Sequence, residues 1–267
     1  MSHHSLFKSI IAIAALLGLG ALLASNLSGH STSIFPSGRL ADIKNRGTLI
    51  VATDATYPPL ESIDDKGGFF GLDIDIAKEI AADLGVKLVL RNILWDDIFQ
   101  SLKNGEVDIV ASSVTITPER AALFSFSDPY FNAGQVIVST TDKRSILSSP
   151  QKLKGLRVGV QPDTTSSREA QKYTDPALVF SYHDYKNAKE DLENGKIDAL
   201  VMDYPAAVAL VSNDKKIDII GDIFTQEFYG IVAQKNQTAL TDQINKTIRR
   251  LKQGGTIRNL EQKWLGR

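Results

Sequence analysis

From residue 42 onward the apolar positions switch repeatedly between two spacings. Leu49-Ile50-Val51-Ala52 is a continuous apolar run inside 48–53 and predicts a short buried strand. Ile76, Ile80, Ala81 and Leu84 recur at helical spacing within 74–84, and Gly85 stands where a left-handed residue ends a helix. A strand over 87–91, a helix over 95–103 stopped by Asn104-Gly105, and a strand over 107–111 follow. The second half runs through the same alternation, with strands over 156–160, 177–180 and 197–202 and helices over 165–173 and 187–193. Such alternation predicts an α/β fold, its strands largely parallel and covered by helices.

Two stretches nearly repeat one another. Leu102-Lys103-Asn104-Gly105-Glu106-Val107-Asp108-Ile109-Val110 and Leu192-Glu193-Asn194-Gly195-Lys196-Ile197-Asp198-Ala199-Leu200 each read as a helix end, an Asn-Gly stop and a strand. The chain therefore holds two similar α/β units. Residues 126–138 cross from one unit to the other, the β-like run 228–233 crosses back, and 240–264 is helical with Gly254-Gly255 interrupting it. The expected division is lobe 1 over 42–131 plus 230–267 and lobe 2 over 135–226. Hinge crossings near 130–135 and 225–230 would leave a cleft between the lobes.

The N-terminus has a different character. Lys8 precedes the apolar run 10–24, which is shorter than the roughly 20 residues of a membrane span and has the length of a signal-peptide core. Residues 1–24 are expected to be a signal peptide or a retained anchor, and 25–41 a disordered linker, rich in Ser, Gly and Asn up to residue 37. A periplasmic location follows from such a leader. Among all 267 residues the formal net charge is -1, which provides no field for nucleic acid. There are no cysteines, so disulfides, thiolate metal sites and a Cys nucleophile are excluded. His3 and His4 lie in the leader, leaving only His30 and His183, too few for a His-based metal site. Asp73 and Asp75 read as capping and surface charge rather than as a metal pair. No metal and no cofactor are expected.

The densest chemistry lies in Ser112-Ser113-Val114-Thr115-Ile116-Thr117-Pro118-Glu119-Arg120. A strand ends there and a helix begins, with Thr117 as N-cap and Pro118 at the first helical position. Arg120 falls in the first turn beside free backbone N–H groups. A guanidinium fork with such donors suits a small anion, most simply a carboxylate. The neighbouring hydroxyls both donate and accept, so an ammonium fits next door. These groups together describe a site for a zwitterion.

Four motifs in order now carry a resemblance. They are Ala52-Thr53-Asp54-Ala55-Thr56-Tyr57-Pro58-Pro59, then Gly71-Leu72-Asp73-Ile74-Asp75-Ile76, then the run just described with Phe126-Ser127-Asp128-Pro129-Tyr130, and last the segment from Gly255 to Trp264. Over about residues 42 to 266 the chain resembles the type-3 extracellular solute-binding proteins, the periplasmic receptors of polar amino-acid ABC importers. The resemblance implies two α/β lobes with mixed sheets joined by a two-stranded hinge, the type II periplasmic-binding-protein fold. It implies a non-catalytic monomer whose partners are a free polar L-amino acid and an ABC membrane permease. By the same resemblance Arg120 and Thr165 would hold the α-carboxylate, Ser113 and Thr115 the carboxylate and ammonium, and Asp203 the α-ammonium. Tyr57 and Trp95 would sandwich the substrate side chain, Asp54 would read its distal group, and Ser112 and Gln161 would line the same pocket.

Asp54 disfavours glutamate and, with the aromatic pair, fits arginine, lysine or ornithine. A glutamine or histidine receptor is the alternative. The chain departs from family members that carry glycine where it has Asp163, which puts the donor geometry of that loop in doubt. Cyclohexadienyl dehydratases also resemble this family. An enzyme of that kind would need a spare general acid, for which Glu61 is the one loose candidate.

Overall fold

The apolar runs become the inner strands of two five-stranded sheets in a computed structural model that describes residues 38–212 and 214–266. In the first sheet Lys87–Asn92, Thr48–Thr53 and Ile109–Val110 lie parallel, and Val232–Gln234 and Phe124–Phe126 complete it. Val232–Gln234 runs antiparallel to both of its neighbours. In the second, Val179–Ser181, Val158–Val160 and Ala199–Asp203 are parallel. Gln135–Thr140 and Ile217–Ile220 complete it in antiparallel fashion. Counting only its three parallel strands, each sheet places the second outermost, the first next and the third in the middle. The two repeated stretches supply that third strand in each lobe. Mixed sheets covered by helices make two lobes of the expected α/β class.

Several local readings hold in detail. Gly85 ends the helix Leu72–Leu84 with φ of 70°, its N–H donating to Ala81 O. Thr117 caps Pro118–Leu123, its hydroxyl accepting from the Arg120 N–H at 3.2 Å. Other bounds move. The helix Arg39–Arg46 begins inside the stretch expected to be linker, held to the first sheet by Arg39 bonds to the carbonyls of Gly105 and Val107. The strand expected over 177–180 is a 3-10 turn, Pro176–Leu178, followed by Val179–Ser181, because Pro176 and the Asp175 cap favour a turn. The small sheet of Thr56–Tyr57, Glu61–Ile63 and Phe69–Phe70 has no periodic signal in the sequence, since its strands are only two or three residues long.

Asp73 also corrects its reading as capping or surface charge. It is 0% exposed, and Gly71 rather than an acid occupies the cap position. Only glycine suits position 71: φ is 132°, and a Cβ there would lie 2.1 Å from Leu60 O. The calls on the leader and on residues 25–37 lie outside the described residues. No helix among the described residues is long and apolar enough to cross a membrane.

Each lobe has its own apolar cores. Leu49, Val51, Ile76, Ile80 and Ile248 are fully buried in the first, and Val138, Leu200, Met202 and Val160 in the second. Phe131–Ala133 and Glu227–Tyr229 pair antiparallel where the chain passes between the sheets. Fully buried Tyr229 packs on Phe131 and Tyr130 there.

Candidate functional site

Parallel strands end on the same side of their sheets, so the residues following them gather. Asp54 follows the strand Thr48–Thr53, Ser112 and Ser113 follow Ile109–Val110, and Gln161 follows Val158–Val160. Asp203 ends Ala199–Asp203. All ten residues singled out in the sequence line one cavity: Asp54, Tyr57, Trp95, Ser112, Ser113, Thr115, Arg120, Gln161, Thr165 and Asp203. Glu61, Thr164, Ser166 and Tyr185 line it too. The free space among them is about 30 Å³, enough for water but not for an amino acid. The lobes touch across it through Arg120 to Asp163, Glu119 to Arg168 and Asp96 to His183.

Arg120 is the only Lys, Arg or His side chain among these lining residues. Its Nη1 donates to Thr115 O at 3.1 Å and its Nη2 to Asp163 O at 3.2 Å. Its guanidinium carbon lies 5.1 Å from the Trp95 ring centroid and 5.4 Å from that of Phe99. Burial pulls its pKa down to about 10, so it stays charged. Asp163 adopts φ of 55°, the conformation a glycine would take, and so aims its carbonyl at Arg120. Thr164, one residue on, caps the helix Thr165–Tyr173.

The two aromatics make different contacts in this conformation. Tyr57 meets Tyr185 at 5.8 Å between centroids, whereas Trp95 meets Phe99 edge-on at 5.2 Å and faces Arg120. Tyr57 packs against core residues of both lobes. Asp54 is 3% exposed and accepts from Thr56 Oγ1 at 2.8 Å and from the Trp95 N–H at 3.0 Å. Burial raises its pKa despite those donors.

Asp203 sits in a network that the sequence did not show. Gln135 Nε2 and the Tyr229 hydroxyl donate to its two oxygens. Burial first, then the negative charge of Glu227, pushes its pKa up to about 7. Glu227, on the crossing strand, accepts at Oε2 from Thr115 at 2.8 Å and from Thr165 at 2.7 Å, one hydroxyl from each lobe. Gln135 Nε2 donates to Glu227 Oε1 at 3.0 Å, so a single amide joins the two acids. Nothing local in Glu227-Phe228-Tyr229 signals this role, because its partners lie far away along the chain. Tyr185 directly follows the helix cap Asp184, and an aromatic at that spot was a usable signal.

The remaining lining carboxylate is Glu61. It is 1% exposed and accepts from the hydroxyls of Ser112 and Ser113 at 3.0 Å each. Ser113 has φ of 51°, a conformation non-glycine residues seldom adopt. Glu61 at its hydroxyl and Asp73 at its N–H, 2.6 Å away, hold it there. Among the described residues no cluster of His, Cys, Asp or Glu has the arrangement of a metal site.

The family model of the bacterial extracellular solute-binding proteins, family 3, matches residues 49–267. The chain belongs to that family. This solute-binding protein is 31% identical over 251 residues to the L-cystine-binding protein TcyJ of Escherichia coli (strain K12), covering 93% of this chain and 94% of that one. Among solved structures, the arginine-bound form of truncated ArgBP from T. maritima shares 38% identity at a TM-score of 0.75, over 79% of this chain and 99% of that one. The ancestral amino acid-binding protein AncCDT-1, a precursor of cyclohexadienyl dehydratase, shares 36% identity at a TM-score of 0.80, over 85% of this chain and 100% of that one.

Proposed function

We propose that this solute-binding protein captures a cationic L-amino acid, arginine, lysine or ornithine, in the periplasm and delivers it to an ABC permease. The charge balance of the cavity carries this reading. Asp54, Glu61 and Asp203 line it, with Glu227 directly behind, so several carboxyl groups stand ready to ionise beside an arriving cation, against the single guanidinium of Arg120. An amino acid with a neutral side chain brings no net charge, whereas arginine or lysine brings one positive charge to a site in excess of carboxylates. Arg120 would pair with the α-carboxylate through N–H groups not engaged by Thr115 and Asp163. Thr115 and Thr165 would exchange Glu227 for the same carboxylate, and Asp203 would take the ammonium. Because Arg120 and Asp203 belong to different lobes, the bound zwitterion favours closure by binding the closed form better. The small free volume means that the lobes separate to admit it.

A thermal-shift panel of the twenty amino acids with ornithine tests the reading. A cationic ligand at 100 times its dissociation constant adds about 2.7 kcal/mol of stability. A response to cystine, glutamine or histidine alone would replace the substrate assignment, and no response to any would refute the receptor reading. Glu61, whose carboxyl burial pushes well above the usual carboxylate range, is the feature of the cavity that favours a dehydratase instead. Incubation with prephenate or arogenate tests that directly.

A further inference from the structure

Glu61 and Asp73 form a buried acid pair joined through one residue. Glu61 Oε2 accepts from the Ser113 hydroxyl, while Asp73 Oδ2 accepts from the Ser113 N–H and, at 2.7 Å, from the Tyr130 hydroxyl. Asp73 Oδ1 is buried and has no hydrogen-bond partner among the described residues. The backbone fixes the pair, since the Asp73 N–H donates to Leu60 O, the residue before Glu61, at 3.0 Å. Leu60, Leu72 and Tyr130 pack in one core with Leu49 and Val51 of the first sheet, and Ser113 follows that sheet's strand Ile109–Val110, so opening the cleft leaves the arrangement intact. The titratable groups acting most strongly on it are Asp54, Tyr57 and Tyr130, none of them a cation; Arg120 lines the same cavity but bonds to the carbonyls of Thr115 and Asp163. Two carboxylates excluded from water and without a cation do not both ionise. Burial and then the charge of Asp73 push Glu61 well above the usual carboxylate range, and burial raises Asp73 to about 6.

We propose that Glu61 and Asp73 share one proton in the empty site, and that a cationic side chain docking beside Glu61 expels it to solvent. The pair goes from one negative charge to two beside the arriving positive charge, and one proton leaves. Glu61 is then a specificity residue and Asp73 its positioning partner. This inference rests on the cationic-substrate reading given above.

Calorimetric titration of the full chain with L-arginine near pH 6.5, in buffers of different ionisation enthalpy, counts the protons released. The wild type should release about one proton more per arginine than Glu61→Gln does. Protons released at Asp203 by the α-ammonium are common to both proteins and cancel in the difference. L-Citrulline, shaped like arginine but neutral, should show no such excess in the wild type. Above the Asp73 value of about 6, wild-type affinity for arginine should rise with pH by up to about tenfold per unit, more steeply than in Glu61→Gln. Arginine binding with equal proton release in wild type and Glu61→Gln overturns the inference and leaves the substrate reading standing. If Glu61→Gln fails to fold, equal release for arginine and citrulline in the wild type does the same. Failure of every cationic amino acid to bind overturns both.

Discussion

Replacing Asp203 by Asn should stabilise the empty protein at neutral pH and abolish its function. The carboxyl of Asp203 moves from an ordinary value of 3.8 to about 7, chiefly because burial disfavours its charge. For an acid raised in this way, the stability contribution is complete below the unfolded value and is lost as pH rises through the folded value. The loss grows by about 1.4 kcal/mol per pH unit between those limits, so from pH 5 to 7 it reaches about 2.7 kcal/mol. Asp203→Asn removes this titration while keeping an oxygen to accept from Gln135 or Tyr229. Acids held low by exposed cations, such as Asp214 at about 2, are ionised in both states throughout this window and do not contribute. Thermal melts of both proteins at half-unit steps from pH 5 to 7.5 should therefore diverge. The variant should gain on the wild type by roughly 5–10 °C across the window, at about 2–4 °C per kcal/mol for a domain of this size. The same variant should lose ligand binding, because an amide no longer balances the ammonium charge. Parallel melting curves for the two proteins would refute the placement of a strained charge at Asp203, and undiminished affinity would refute its role toward the ammonium.

Further perturbations probe the other side chains. Arg120→Ala should weaken ligand binding by about 2–5 kcal/mol, or very roughly 30- to 5,000-fold, measured by calorimetry; wild-type affinity would exclude Arg120 as the carboxylate partner. Asp54→Asn should reduce affinity for arginine and lysine more than for glutamine or citrulline, and equal losses would count against Asp54 as the reader of the distal group. Gly71→Ala should destabilise the fold by more than about 2 kcal/mol in chemical denaturation, since the added Cβ meets Leu60 O at 2.1 Å. An unchanged midpoint would show that the Leu60–Asp73 contact yields easily.

How far the chain could be read depended on the range of each interaction. Thr117 and Pro118 announce a helix start, and Asn104-Gly105 and Asn194-Gly195 announce stops, because caps and turns are settled within four residues. The candidate site was legible for a related reason. Asp54, Ser112, Ser113, Gln161 and Asp203 stand at or just after strand ends, where α/β folds collect their ligand groups. Glu227 could not be read this way, since its bond to Thr115 joins residues 112 apart and exists only once strands from both halves close over the crossing. The same holds for Asp73, whose place at a helix start reads as surface until Leu60, Ser113 and Tyr130 close over it. By itself, then, the sequence determined the α/β alternation and the polar groups at its strand ends, because both follow from local spacing and capping. Only the tertiary structure decided which of those groups are buried and which carboxylates are brought together. Desolvation and charge–charge distance are properties of the packed chain, and no local pattern encodes them.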